Sequence, residues 1–387
     1  MDDLLERVRA MPCGRRLLEA AAGADGIHLT GGAARDLLLG HEPRELDVVV
    51  EGDLAALADQ LGEVEAVHER FGTATVRAGD WRWDLAAARA EHYAYPGALP
   101  EVRPASIEQD LLRRDVTVNA FALELASGEL RAVEHAREDL EAGRLRVLHV
   151  ASFSDDPTRL WRIARYAARL GFELEAQTAR LAEQAVAAGA LATVSGARIG
   201  NELRLAMREP DPIAALQAAA GLGLAPWLVP DRGRATVALE LLAPGEGRAD
   251  LAVLGASLAG PVQDIDALLA DLDFPASERA VLRACVAADE LALAANAATR
   301  PSELARVLRG VPVEAAAIAG AAQAGAAVRR WLHELRPVRL AITGDDLIAA
   351  GVPEGPEIGR RLEATLDRRL DGELERGRDA ELSAALR

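Results

Sequence analysis

The chain is predicted to be an α+β protein, with a mixed α/β module over residues 1–145 followed by an all-helical remainder. Three observations predict this. Up to about Val147, short β-branched runs alternate with runs of helical periodicity, and glycines or prolines stand between them. From Asp156 to Arg387, Ala, Leu, Arg and Glu recur at helical spacing and strand signals stop. At 387 residues the chain is long enough for two or three domains.

The elements follow in order. Residues 1–25 read as a helix ending near Gly23 and Gly26. IHLT is a short apolar strand, GGAARDLLLG a glycine turn opening a helix, and ELDVVVEG a β-branched strand. DLAALADQLG has helical period. TATVRA and WRWDLAAA are strands, with Gly79-Asp80 suited to a hairpin turn between them. The proline-rich stretch from Glu91 to Ser106 reads as a loop, and IEQDLLRRDVTVNAFALEL as a helix followed by a strand. Soft boundaries near Pro210 and Pro337 divide the helical part, giving segments 146–209 and 210–387.

Composition narrows the class. Half the residues are hydrophobic, as in a soluble globular protein, and no apolar run approaches the ~18 residues that span a bilayer. The charged start MDDLLERVRA has no apolar h-region, so no secretory leader is expected, and Cys13 and Cys285 form no redox or metal spacing. A cytoplasmic location is expected, with no membrane partner. All 44 basic residues are arginine, and the formal net charge is −17. That sum weighs against a nucleic-acid partner. A local arginine stripe is nevertheless compatible with an acidic remainder.

Glu45 and Asp47 lie two apart on a predicted strand, so both side chains point to one face. Asp84 sits in a second strand suited to lie alongside. Carboxylates on one face hold hard divalent cations, and phosphoryl transfer commonly uses two metals about 3.5–4 Å apart. The same spacing also suits an ordinary solvated strand face. Upstream, Gly31-Gly32 stands between a strand and a helix, where backbone N–H groups approach a phosphate, and Arg35 adds a cation. That conjunction is rarer than any of its parts.

Asp156 is a suitable N-cap and Pro157 suits the first helical position, so a helix is predicted to begin there. Arg159, Arg162, Arg165 and Arg169 recur on one side of it, which on its own is equally a solvated arginine face. Arg113-Arg114-Asp115 is, in isolation, an exposed charged turn.

GGAARDLLLGHEPRELDVVVEGD resembles the signature of the class II tRNA nucleotidyltransferase (CCA-adding enzyme) and bacterial poly(A) polymerase family. The resemblance continues through DLAAARAEHYAYPGALPEVRPASIEQDLLRRDVTVNAFAL, SFSDDPTRLWRIARYAARLGFELEAQT, VSGARIGNELRLAM and ITGDDLIAAGVPEGPEIGRRL, in the family's order. It implies a polymerase-β-like nucleotidyltransferase head over residues 1–145, a base-selecting neck over 146–209, and a tRNA-binding body and tail over 210–387. Where the family usually has Asp-x-Asp, this chain has Glu45-Leu46-Asp47; the extra methylene shifts the ligand oxygens at a site demanding of geometry.

By the same resemblance, Glu45, Asp47 and Asp84 bind two Mg²⁺ ions and are catalytic. Gly31, Gly32, Arg35, Arg113, Arg114, Asp115 and Asn119 hold the triphosphate or ribose of ATP or CTP. Asp156 and Arg159, with Arg162 and Arg165 on the same helix, face the base. A carboxylate accepts from the amino group shared by cytosine and adenine, and a guanidinium donates to the adjacent ring nitrogen; uracil and guanine present the reverse. The loop bearing Tyr93, Tyr95 and Pro96 matches the family's flexible element, though a packed surface loop fits its residues as well.

The implied reaction is addition of C, A or both to the tRNA 3′ end without a nucleic-acid template. CC-adding, A-adding and poly(A) enzymes share these motifs. A non-catalytic RNA- or nucleotide-binding relative is the alternative from another class, and Glu45 is its motive.

Overall fold

The computed structural model describes residues 2–43, 45–68, 72–258 and 264–387. The chain forms two compact units, Met1–Leu224 and Ala225–Arg387.

In the first unit, α1 (Asp2–Ala10) and α2 (Pro12–Ala20) precede β1 (Ile27–Thr30), which runs directly into α3 (Gly31–Leu38). Next come β2 (Leu46–Val50), α4 (Leu54–Leu61), β3 (Glu63–His68), β4 (Thr73–Ala78) and β5 (Trp81–Ala87). The chain then passes through β6 (Arg89–His92), β7 (Glu101–Pro104), α5 (Ile107–Leu112), β8 (Phe121–Glu124), β9 (Leu130–Ala132), α6 (Ala136–Glu141) and β10 (Arg144–Leu145). Helices α7 (Ser152–Asp155) and α8 (Arg159–Leu170) follow, then β11 (Glu173–Leu174) and three further helices. These are α9 (Ala176–Ala187), α10 (Gly196–Met207) and α11 (Pro212–Gly221).

The main sheet has the order β3-β4-β5-β2-β1-β8-β9. Only its β2–β5 pair is parallel; its other pairs are antiparallel. Alternation decides which residues are covered. Leu46, Val48 and Val50 of β2 join Trp83 and Leu85 of β5 in one core, closed by Val8, Leu17, Leu57 and Leu61 of the N-terminal helices and α4. Full burial of such side chains contributes about 1.5–3 kcal/mol each. On the other face, Val49 packs with Ile107, Leu111, Ala120 and Ala122, and the sheet next to it is left open.

Several expectations are corrected. Residues 1–25 are not one helix: α1 stops before Pro12, whose missing N–H suits the first turn of a new helix. EVEAVH is an edge strand that its exposed, acidic side chains conceal in the sequence. The strand expected over VTVNAFAL begins only at Phe121, because Thr117–Asn119 form a 3₁₀ turn. The expected loop at 91–106 is largely a hairpin, with β6 and β7 pairing from Arg89↔Pro104 to His92↔Glu101. Pro104 occupies the end of that ladder, where its missing donor costs nothing. The helical region is also interrupted by β11, a two-residue strand that pairs in parallel with β10 at the end of the α/β module.

The second unit is helical. Helices Arg232–Leu241, Ala249–Ser257, Ala276–Val286 and Val313–Ala319 pack closely, and a Cβ on Gly255 would meet Cys285 Cβ at 2.6 Å. Ile342, Leu347, Val352 and Ala385 form a separate small core near the C-terminus.

Candidate active site

Because Leu46, Val48, Trp83 and Leu85 face the core, Asp47 and Asp84 project from the opposite, open face of the sheet. The parallel register sets Asp47 directly beside Asp84. Glu45, just before β2, shares the parity of Asp47. Ligand oxygens of the three carboxylates lie within 4.8 Å of one another, the one such group among the described residues. The added methylene of Glu45 therefore does not keep it from the cluster. Hard oxygen donors converging in this way suit a divalent cation such as Mg²⁺. Thr75 Oγ1, one strand out, donates to Asp84 Oδ1 at 2.8 Å and orients it. Burial pushes the Asp47 carboxyl up to about 6; the charge of Arg114 opposes the shift, and those of Glu45 and Asp84 add to it.

The start of α3 faces this cluster. Gly31 has φ +64°, and a Cβ there would lie 2.9 Å from Arg114 Nη1 and 3.5 Å from Asp47 Oδ2. Only glycine lets the backbone come this near both groups at that φ. The helix N-terminus thus presents its amide end toward the carboxylates and the arginine.

Arg113 and Arg114 are not a free charged turn. Asp110, fully buried, accepts from Arg113 Nη2 at 2.7 Å through Oδ1 and from Arg114 Nη2 at 3.0 Å through Oδ2. Burial would raise the Asp110 carboxyl, but Arg114 and Arg113 outweigh it and hold it below its ordinary range. Arg113 also donates to Glu91 Oε1, and Arg114 to Thr30 Oγ1 at the end of β1.

Behind these arginines runs a buried polar chain. Arg35 donates to Asn119 Oδ1 at 2.6 Å and to Asp36, and Asn119 Nδ2 donates to Asp115 Oδ1. Asp115 Oδ2 accepts from Arg162 Nε at 2.7 Å and Tyr166 Oη at 2.9 Å on α8. Burial alone would raise Asp115; Arg162 and the hydrogen bonds from Asn119, Arg162 and Tyr166 hold it far below the carboxylate range. Arg35, Asp115 and Asn119 therefore tie the sheet to α8 through their own side-chain groups.

The arginine row of α8 is largely paired. Arg165 donates to Glu202 and Glu209, and Arg169 to Glu209. Asp156 is not the N-cap of α8, which is Thr158, but the residue that ends α7; its Oδ1 accepts from Thr158 N at 3.0 Å and Thr158 Oγ1 at 2.6 Å across the turn between the two helices. The first turn is tightened by three-residue hydrogen bonds such as Arg159 N to Asp156 O, so regular α-helix starts at Arg159. Arg159 donates to Ser152 Oγ and to the carbonyl of Arg113.

All the metal-, triphosphate- and base-binding residues expected from the sequence border one cavity of about 920 Å³, and of the loop residues Tyr93 joins them while Tyr95 and Pro96 do not. The carboxylate cluster, Gly31, Arg113 and Arg114 form part of its wall, and Asp156 and Arg159 another. Residues not anticipated include Asp110, Glu91, Tyr166, Glu202 and Glu209. Asp110 had a signal, since it precedes both Arg113 and Arg114 by one helical turn. Glu202 and Glu209 had none, being brought to Arg165 only by the packing of α8 near α10.

Residues 27–146 match the family of the poly(A) polymerase head domain. The chain is 34% identical over 374 residues to an A-adding tRNA nucleotidyltransferase of Geobacter sulfurreducens, covering 88% of this chain and 42% of that protein. It thus spans less than half the length of that curated relative. It is 35% identical to a CC-adding tRNA nucleotidyltransferase of Deinococcus radiodurans, covering 89% of this chain and 85% of that one. The Thermotoga maritima CCA-adding enzyme complexed with tRNA superposes with a TM-score of 0.78 at 26% identity, covering 99% of this chain and 98% of that chain.

Proposed function

Since the chain belongs to the class II tRNA nucleotidyltransferase and poly(A) polymerase family, we propose that it transfers C, A or both from CTP or ATP to the 3′ end of tRNA. The observation that carries this reading is the β2–β5 register, which gathers Glu45, Asp47 and Asp84 on the wall of a cavity that Asp156 and Arg159 also line.

The RNA 3′-hydroxyl attacks the α-phosphate, the bond to the β-phosphate breaks, and pyrophosphate leaves with the electron pair. Glu45, Asp47 and Asp84 would hold Mg²⁺, which would lower the pKa of the hydroxyl and neutralise charge on the phosphate oxygens. Arg113 and Arg114, fixed by Asp110, hold the triphosphate, and the Gly31-Gly32 turn brings amide donors to it. Arg35, Asp115 and Asn119 hold these groups in register with α8, so their contribution to nucleotide binding is made through that framework. Arg162 is held by Asp115, and Arg165 by Glu202 and Glu209. Asp156 accepts from the amino group of C or A, and Arg159 donates to the ring nitrogen. One mismatched, buried polar group costs ~1–3 kcal/mol, so two reject U and G about a hundredfold or more.

Segment 1–145 acts as the catalytic head, 146–209 as the neck that chooses the base, and 210–387 as the body and tail that grip the tRNA acceptor arm. No helix among the described residues is long and apolar enough to cross a membrane, and both cysteines are free, which suits a reducing cytoplasm.

The test is incubation with Mg²⁺, labelled CTP or ATP, and tRNAs ending before the first C, after CC, or with an unrelated RNA 3′ end. Incorporation of both nucleotides on tRNA identifies CCA addition. ATP alone on tRNA ending in CC identifies A addition, CTP alone CC addition, and ATP runs on unrelated RNA a poly(A) polymerase. No incorporation on any RNA overturns the enzyme reading in favour of a binding protein.

A further inference from the structure

The segment VSGARIGNELRLAM forms α10 and the turn before it, and in the reaction above it supplies only Glu202, which holds Arg165. Its Arg198 nevertheless reaches two elements of the site. Nη2 donates to Asp156 Oδ1 at 2.9 Å, and Nη1 donates to the carbonyl of Gly97 at 2.8 Å. Gly97 lies between β6 and β7, at the tip of their connection, and its own N–H donates to the carbonyls of Ser154 and Asp155. The fit at Gly97 is close: φ is +75°, and a Cβ there would fall 2.3 Å from Thr193 Oγ1 and 2.8 Å from the Thr193 carbonyl.

We propose that Arg198 is a positioning residue for base selection, which holds the Asp156 carboxylate in place by bridging it to the tip of the β6–β7 hairpin. The inference rests on the base-selecting role proposed for Asp156. Its physical basis is how the carboxylate oxygens are used. Thr158 N, Thr158 Oγ1 and Arg198 all donate to Oδ1, and no described residue donates to Oδ2. Three donors on one oxygen set the plane of the carboxylate and leave the other oxygen as the acceptor open to an amino group in the cavity. Arg198 is the one charged donor of the three, and the charge-assisted bond is the strongest kind. Because its second nitrogen grips a backbone carbonyl, a shift of the hairpin tip moves the guanidinium and with it Asp156.

The experiment compares wild-type protein with Arg198→Ala, Arg198→Lys and Gly97→Ala, reading KM and kcat for CTP, ATP and UTP on tRNA and titrating CTP and UTP without RNA. Loss of one charge-assisted bond predicts that Arg198→Ala raises KM for the favoured nucleotide about tenfold and lowers its discrimination against UTP about tenfold, with kcat changed less. Arg198→Lys, which keeps one charged donor, recovers part of the discrimination. Gly97→Ala, which displaces the carbonyl without touching Arg198, shifts discrimination in the same direction and keeps the inference testable if Arg198→Ala does not fold. A folded Arg198→Ala protein with wild-type KM and discrimination overturns the inference, as does a fall in kcat alone. A wild-type protein with no base preference in either measurement overturns the reading of Asp156 itself, and the inference falls with it.

Discussion

Asp47 carries two consequences at the scale of one residue. Its carboxyl is pushed by burial, with Glu45 and Asp84 adding to the shift, up to about 6 from 3.8. Metal ligands must be deprotonated, so protons compete with the cation below that value. Apparent Mg²⁺ affinity is expected to weaken by up to about tenfold per pH unit as pH falls below about 6. Mg²⁺ titration of activity at pH 5, 6 and 7 checks this, and a flat affinity over that range contradicts it. Asp47→Asn and Asp84→Asn are each expected to lower kcat/KM for CTP or ATP by about a thousandfold, the scale of several kcal/mol of lost charge stabilisation. Asp110 acts differently because it touches both arginines and lies fully buried. Asp110→Ala leaves two guanidinium groups without their shared acceptor. It is expected to raise KM for the nucleotide at least about tenfold and to lower the melting temperature, whereas Asp47→Asn leaves the melting temperature unchanged or raises it.

At the scale of elements, the junction of β1 with α3 is the most sensitive. Gly31 takes a left-handed φ between two charged groups that both belong to the site. Gly31→Ala adds about 1–2 kcal/mol of backbone strain and pushes its Cβ against Arg114. Triphosphate affinity is expected to fall about tenfold, measured by CTP titration, with a secondary loss of thermal stability. An Ala variant with wild-type affinity shows that the turn's close approach is not used. The helix α8 was legible in the sequence as a row of arginines at three- and four-residue steps. Whether that row faced solvent or a ligand was not, because the carboxylates that pair with it lie far along the chain. Asp115 is 47 residues before Arg162, and Glu209 is 44 after Arg165.

At the scale of the molecule, charge acts with two signs. A buried carboxylate paired with arginine, as Asp115, Asp110 and Glu209 are, has a folded pKa below its unfolded value. The stability it contributes is present above about pH 4 and is lost as pH falls through the folded value. Asp47 has the opposite sign: its raised pKa disfavours the metal-free folded state as pH rises from about 4 to 6. In EDTA, the thermal stability of the Met1–Leu224 unit is therefore expected to rise as pH drops from 7 to about 5 and to fall steeply below about 4. Melting curves across that range check the prediction. A monotonic decline from pH 7 contradicts the Asp47 assignment. The formal charge of −17 is a sum over the chain, and it does not reveal that arginines gather with carboxylates on one cavity wall.

The sequence alone specifies the α+β class, the strand that carries Glu45 and Asp47 and the glycine turn before α3, because each rests on local periodicity or on spacing within a few residues; the roles of the motif residues come from the family resemblance. It also pointed to Asp84, as a carboxylate on a second strand suited to lie alongside the first. Only the tertiary structure decided that β2 and β5 pair in parallel and in the register that sets Asp47 beside Asp84. Only it decided that residues 91–106 are mostly a hairpin, and that Arg35, Asp115, Asn119 and Arg162 form one buried chain. The reason is physical. Local elements follow from side-chain period and backbone preference, which adjacent residues carry. Strand register, ion pairing and the filling of a cavity depend on which distant surfaces are buried together, and each residue's own sequence neighbours say nothing about that.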